Sequence, residues 1–236
     1  MIHKIDHKKM GRSTSLGWLD SHFHFSFAEY YNPDNMSFGV LRVLNDDLIK
    51  PNNGFGEHPH NDMEIISYIV DGELTHGDSM GNKETLKRGH VQYMSAGTGV
   101  IHSEENFGSE IVRLLQIWIL PNQHGLTPNY GDLRYPWEDR INKWLHIVSG
   151  QSEDAAVKIH QDVNLYVTLL EKGQELVFEV ASGRQAYLVV IEGEAVIEAE
   201  TLVARDALTS VEEDLLIQAR EDAHIIILEM EKNNYN

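Results

Sequence analysis

The sequence predicts an all-β chain folded as two β-sandwich or β-barrel domains. Three observations predict it. Short runs rich in β-branched and aromatic residues recur along the chain, divided by glycine or acidic turns. Few windows hold a helical period. A hairpin-like segment in the first half also echoes in the second. Taken in order, residues 38–44 (FGVLRVL) read as a strand ended by Asn45-Asp46-Asp47. Residues 63–70 (MEIISYIV) read as a buried strand before the turn Asp71-Gly72, and residues 112–120 (VRLLQIWIL) as a strand stopped by Pro121. Residues 166–170, 176–180, 187–191, 195–199 and 224–230 repeat the pattern. Residues 212–220 read as a helical turn.

Residues 121–144 break the rhythm with Pro121, Pro128 and Pro136, several glycines and the aromatics Tyr130, Tyr135, Trp137 and Trp144. The aromatics argue that this stretch packs against the domains. The expected organisation is an N-terminal domain over residues 1–125, a connector over 126–145 with short helical turns, and a C-terminal domain over 146–236. The echo matches residues 67–74 (SYIVDGEL) with residues 188–195 (LVVIEGEA), each a buried strand, an acidic-Gly turn and a second strand. It suggests a duplicated β-domain.

Composition removes several classes of function. The 236 residues contain no cysteine, which excludes disulfides, thiolate metal sites and cysteine nucleophiles. The formal charge of −18 argues against nucleic-acid binding, which needs a basic footprint. The basic start MIHKIDHKKM has no apolar stretch after it to make a secretory signal, and the apolar runs are too short to span a bilayer. A soluble cytoplasmic protein without a membrane or nucleic-acid partner is expected.

The chemistry concentrates in His58-Pro59-His60 and, about forty residues later, His102-Ser103-Glu104. Side chains of a β-strand alternate faces, so residues i and i+2 point the same way. Two such pairs on neighbouring strands aim three imidazoles and one carboxylate at a common point. Neutral imidazole and carboxylate suit Fe, Mn, Co, Ni, Cu or Zn and leave coordination positions for water, substrate or oxygen. A structural zinc site is usually closed and richer in cysteine. Pro59 cannot donate to a ladder, which puts His58-Pro59-His60 at a strand start or edge. His22-Phe23-His24 has the same spacing, but no second pair follows it at a comparable interval, so it reads as a terminal strand. His76, His90, His124 and His146 have no partnered spacing. His160 and His224 read as strand or loop residues, and His3 and His7 lie in a basic polar tail. His58 and His60 precede Gly72 by fourteen and twelve residues, and the same offsets before Gly193 give Glu179 and Ala181, so the second half lacks the first histidine pair.

These residues resemble the cupin signature and, more closely, the pirin family. The similar blocks are GWLD (17–20), HFSF (24–27), LRVLND (41–46), GFGEHPH (54–60), MEIISY (63–68), DSMG (78–81), MSAGTGVIHSE (94–104) and LQIWI (115–119), which cover almost the whole first half. The resemblance implies a bicupin, two cupin domains of which only the first keeps a metal. It implies the ligands His58, His60, His102 and Glu104. In general cupins a carboxylate at the position of Glu64 often binds the metal, and the proline usual in the second motif is missing near Ser95-Ala96-Gly97. The pirin pattern favours Glu104, although strand parity alone leaves Glu64 open.

Bacterial pirins of this kind resemble quercetin 2,3-dioxygenases, which open the central ring of a flavonol with O₂ and release carbon monoxide. The resemblance implies one divalent transition metal per chain, with Fe(II) favoured over Cu, Mn, Co, Ni or Zn. It also implies Glu104 as ligand and base, and a flavonol-like substrate with O₂. The alternative is a metal- or redox-sensing regulatory protein, as some eukaryotic pirins resemble, with a protein partner. A metal-bound isomerase or other small-molecule cupin is a third reading, since one fold hosts many chemistries.

Overall fold

A computed structural model describes residues 1–232 of the chain; the last four residues of the expected domain 146–236 lie outside them. Among the described residues the chain forms twenty-two strands and two short 3₁₀ turns, His7–Lys9 and Trp137–Arg140. In chain order the strands begin with β1 (Ile2–Ile5), β2 (Gly11–Ser13), β3 (Leu19–Phe23), β4 (Leu41–Ile49), β5 (Asn53–His60) and β6 (Glu64–Asp71). They continue with β7 (Glu73–Asp78), β8 (Lys83–Lys87), β9 (Val91–Ser95), β10 (Val100–Asn106), β11 (Val112–Ile119) and β12 (Asn129–Leu133). The second half adds β13 (Leu145–Ser149), β14 (Val157–Lys158), β15 (Val163–Leu170), β16 (Glu175–Phe178) and β17 (Arg184–Glu192). It ends with β18 (Glu194–Ile197), β19 (Glu200–Val203), β20 (Ala207–Val211), β21 (Leu215–Ala219) and β22 (Ala223–Glu231). No helix among the described residues is long and apolar enough to cross a membrane.

The chain separates into two compact units. The first comprises Met10–Tyr135 with Ile159–Gln161. Its larger sheet runs β12-β9-β6-β11-β4-β3-β2 and its smaller sheet β5-β10-β7-β8. The second comprises Met1–Lys9, Pro136–Lys158 and the described residues from Asp162 onward. Its sheets run β1-β20-β17-β22-β15-β13-β14 and β16-β21-β18-β19. The two orders correspond strand for strand through their centres. The duplication suggested by the short sequence echo is therefore present in the fold. Each unit is an open sandwich of a seven-stranded and a four-stranded sheet, with no closed barrel.

Strand alternation builds the core of the first unit. Along β4, Leu41, Val43 and Ile49 are buried, and Ile49 joins Ile69, Leu74, Leu86, Val112 and Leu114 in one apolar cluster drawn from both sheets. The opposite parity of β4 lies on the other face of the sheet, where the buried Asp46 accepts two hydrogen bonds from Arg113 at 2.9 and 2.6 Å. In the second unit the strands equivalent to β5 and β10 contribute Phe178, Leu215, Ile217 and Ala219 to a larger apolar cluster. Residues 215–219 are thus strand β21, not part of a helical turn. Leu215, Ile217 and Ala219 are buried while Leu216 and Gln218 are not, a period of two that a helix cannot satisfy. Within residues 121–144, β12 pairs with β9, and Trp144 packs on Phe178 with its indole N–H donating to Val177.

The echoed glycines sit where the chain leaves the large sheet for the small one. Gly72 (φ +77°) joins β6 to β7 and Gly193 (φ +81°) joins β17 to β18. A Cβ on Gly193 would stand 2.0 Å from the carbonyl oxygen of Asp222, whereas a Cβ on Gly183 (φ +77°) would meet nothing within 4 Å. Gly183→Ala should cost about 1 kcal/mol from the left-handed conformation alone, and Gly193→Ala clearly more, about 3 kcal/mol. Chemical denaturation of the two variants checks this, and equal losses would contradict it.

Candidate metal centre

The site starts from two paired strands. β5 is the edge strand of the small sheet, so Pro59 is tolerated inside it, and His58 and His60 emerge on one side of it. β10 alternates fully, with Val100, His102, Glu104 and Asn106 buried. The register sets His102 opposite His58 and Val100 opposite His60. Between His102 and Glu104 the ladder slips, and Glu104 pairs with Phe55. This bulge adds one residue to β5, which lets Phe55 and His58 line the same cavity despite their opposite parity.

The three imidazoles converge. One ring nitrogen from each of His58, His60 and His102 lies within 4.8 Å of the other two. The Nε2 atoms of His58 and His102 are 3.0 Å apart. His58 Nδ1 lies 2.7 Å from the carbonyl oxygen of Gly56, which can only accept, so the proton of the neutral ring sits on Nδ1 and the lone pair of Nε2 faces the cluster. Burial pushes His60 down to about 4, with the neighbouring rings of His102 and His58 adding to the drop. Burial likewise pushes His102 down to about 3, helped by His58 and His76. Both rings are therefore neutral near pH 7, the form that ligates a cation. Two ring nitrogens facing each other at hydrogen-bond distance, one with its lone pair fixed toward the cluster, fit a shared cation.

Glu104 lines the same cavity, but its carboxylate falls outside the 4.8 Å group. It is held from the large sheet. Gln116 donates to Oε2 at 2.6 Å, Gln92 donates to Oε1 at 3.3 Å, and the Ser67 hydroxyl lies 2.8 Å from Oε1. Glu64 is engaged elsewhere: it accepts from the Ser95 hydroxyl at 2.6 Å and the His160 backbone N–H at 3.2 Å. His22 and His24 enter no group of three ligand atoms among the described residues. His24 is buried, which lowers it to about 4, and its neighbour His22 lies 3.7 Å from Asp20.

One group escaped the sequence reading. His76 and Asp78, also spaced i, i+2, lie on β7 with His76 Nε2 2.9 Å from Asp78, both fully buried side chains. His76 stacks on Tyr130 at 4.5 Å between centroids and lies 5.4 Å from the ring of His102. The spacing rule that singled out the other pairs would have found it. Ser67, Gln92 and Gln116 carried no comparable signal, because each meets Glu104 only across the sandwich.

Beside the histidines lies a cavity of about 240 Å³. Its walls are largely apolar, with Phe23, Phe27, Phe55 and Trp118 among them. Trp118 packs edge-on against Phe27 at 5.3 Å and against His60 at 4.9 Å. A flat apolar ligand fits such walls, with the imidazoles at its edge.

Comparison with known proteins agrees with this architecture. Residues 6–119 match the family model described as Pirin, and residues 146–230 match the Quercetinase C-terminal cupin domain. The chain is 41% identical to the quercetin 2,3-dioxygenase of Escherichia coli K12 over 91% of its own length and 92% of the relative's. It is 42% identical to a pirin-like protein of Caulobacter vibrioides over 97% of this chain and 99% of the other. The crystal structure of the bacterial pirin YhhW of Escherichia coli in complex with nickel(II) superposes with a TM-score of 0.92 at 38% identity, covering 99% of this chain and 100% of that one. With two matched cupin domains, a duplicated sandwich and full-length relatives, the chain belongs to the pirin family.

Proposed function

We propose that this pirin is a metal-dependent dioxygenase that opens the central ring of flavonols such as quercetin with O₂ and releases carbon monoxide. The observation that carries the reading is the convergence of three imidazole nitrogens within 4.8 Å at the edge of an apolar, aromatic-walled cavity. The relatives named as quercetin 2,3-dioxygenases support it. His58, His60 and His102 hold one divalent metal, with Glu104 as the fourth ligand. Fe(II) is favoured, and nickel(II), the ion in the YhhW complex, is the first competitor. A bound divalent metal supplies Lewis acidity toward the 3-hydroxyl and the adjacent carbonyl of the flavonol.

The protein's own groups do the rest. Glu104 takes the proton of the 3-hydroxyl, and Ser67, Gln92 and Gln116 aim its carboxylate while it does so. Phe23, Phe27 and Trp118 hold the flat ring system and exclude water from it. The lined cavity favours this reading over a regulatory one, because it is shaped for a small molecule next to the imidazoles.

Three outcomes check the proposal. Apoprotein loaded separately with Fe(II), Mn, Co, Ni, Cu or Zn should, with at least one metal, bleach the flavonol absorbance and release carbon monoxide. No turnover with any of them would favour the regulatory reading. His102→Ala should weaken metal binding by more than about 100-fold, beyond what loss of a supporting residue costs, measured as metal per chain after dialysis against a chelator. Glu104→Gln should keep the metal while turnover falls by about 100-fold or more. Undiminished flavonol cleavage in that variant would refute the base assignment.

A further inference from the structure

The cavity holds two polar side chains that the proposed chemistry does not use. Asn45 and Asp47 stand two residues apart on β4, on one face, and both line the cavity. They are 3% and 2% exposed. Asp47 meets the hydroxyl of Ser21, which lies directly opposite on β3. The Oδ1 atoms of both Asn45 and Asp47 are buried without a hydrogen-bond partner among the described residues.

The neighbouring aspartate shows what a merely structural carboxylate looks like here. Asp46, on the opposite face of β4, is also buried but takes a two-pronged contact from Arg113. Asp47 faces inward, and burial pushes its carboxyl up to about 7, with Ser21 opposing the rise and Asp46 and Glu104 adding to it. Near neutral pH Asp47 can therefore accept a hydrogen bond or donate one. Buried acceptors without partners weaken a fold, and apolar side chains of the same size would fill the space better. The second unit fills its sandwich in that way. Two buried acceptors without partners, on residues that line a cavity with aromatic walls, are matched to hydroxyl groups on a flat ligand.

Position sets the direction of the ligand. Asn45 is paired across the ladder with Gln116, which in turn donates to Glu104. The polar pair thus lies on the strand beside the one that carries Gln116, a hydrogen-bond donor to the Glu104 carboxylate. Alternate residues on a strand are about 6.8 Å apart, wide enough to receive two hydroxyls of one molecule.

We infer that Asn45 and Asp47 form a specificity subsite that receives ring phenolic hydroxyls of a planar polyhydroxylated aromatic whose keto-enol end faces His58, His60 and Glu104. The inference rests on the flavonol reading and narrows it to substrates that carry ring hydroxyls.

The test is binding, not turnover. Equilibrium affinities of metal-loaded protein are measured for quercetin and for 3-hydroxyflavone, which shares the keto-enol group but lacks the ring hydroxyls. The wild type should bind quercetin at least about tenfold more tightly, as expected for one or two net hydrogen bonds. In Asn45→Leu/Asp47→Leu this preference should fall to near unity, with 3-hydroxyflavone affinity unchanged within about twofold and the melting temperature unchanged or higher. Asp47→Asn, closest to the native shape, should retain part of the preference. A wild type without preference, or a double variant that keeps it, overturns the subsite, as does failure of quercetin to bind at all. Should the Leu pair not fold, a full wild-type preference in both Asn45→Ala and Asp47→Asn overturns it equally. Preferential quercetin binding without cleavage would leave the subsite standing and defeat only the dioxygenase reading.

Discussion

The pairing of β5 with β10 is the constraint on which the site depends. Side chains on a strand alternate, so one register brings His58, His60, His102 and Glu104 to the inner side of the small sheet, and a slip of the edge strand β5 by one residue would turn His58 and His60 away. The ladder sets His102 directly opposite His58. The bulge beyond that pair then adjusts the parity of β5 so that Phe55 enters the cavity as well. The proline in β5 is compatible with all this because the strand has a neighbour on one side only. Imidazoles at this position are costly to charge, and burial keeps two of them neutral, so one constraint of geometry produces both the convergence and the protonation state.

The duplicated scaffold shows how little of this follows from the fold itself. Both units carry the same seven-stranded and four-stranded sheets and turn between them at a glycine that tolerates no side chain. In one unit the small sheet sends histidines and a glutamate inward. In the other its equivalents send Phe178, Leu215, Ile217 and Ala219 into an apolar cluster. Function resides in which residues occupy the inward parity, and the sandwich accommodates either choice.

Much of this was legible in the sequence because period-two patterns are local. Each strand, each glycine turn and each i, i+2 pair is written in a few neighbouring residues, and the duplication shows as one such short segment repeated. What escaped depends on contacts between distant segments. Ser67, Gln92 and Gln116 look like ordinary strand residues until the sandwich closes and all three reach Glu104. Asn45 and Asp47 were read as a turn, yet both belong to a central strand, where Asp46 and Asp47 face opposite environments. Residues 212–220 misled in another way: they were read as a helical turn, while the alternating burial of Leu215, Ile217 and Ala219 belongs to a strand. His76 and Asp78 were within reach of the same parity rule, but a histidine-carboxylate pair on its own gave no second pair to confirm it.

The central claim is that three imidazoles brought together by one register hold a single metal ion. X-ray absorption spectroscopy at the metal edge, combined with anomalous diffraction from a metal-loaded crystal, tests it most directly. The account predicts one ion per chain, with three imidazole nitrogens from His58, His60 and His102 and at least one oxygen in its coordination shell. An ion bound instead at Asp6, His7 and Asp206, the other such group of ligand atoms among the described residues, would contradict it, as would a shell with fewer than three imidazoles.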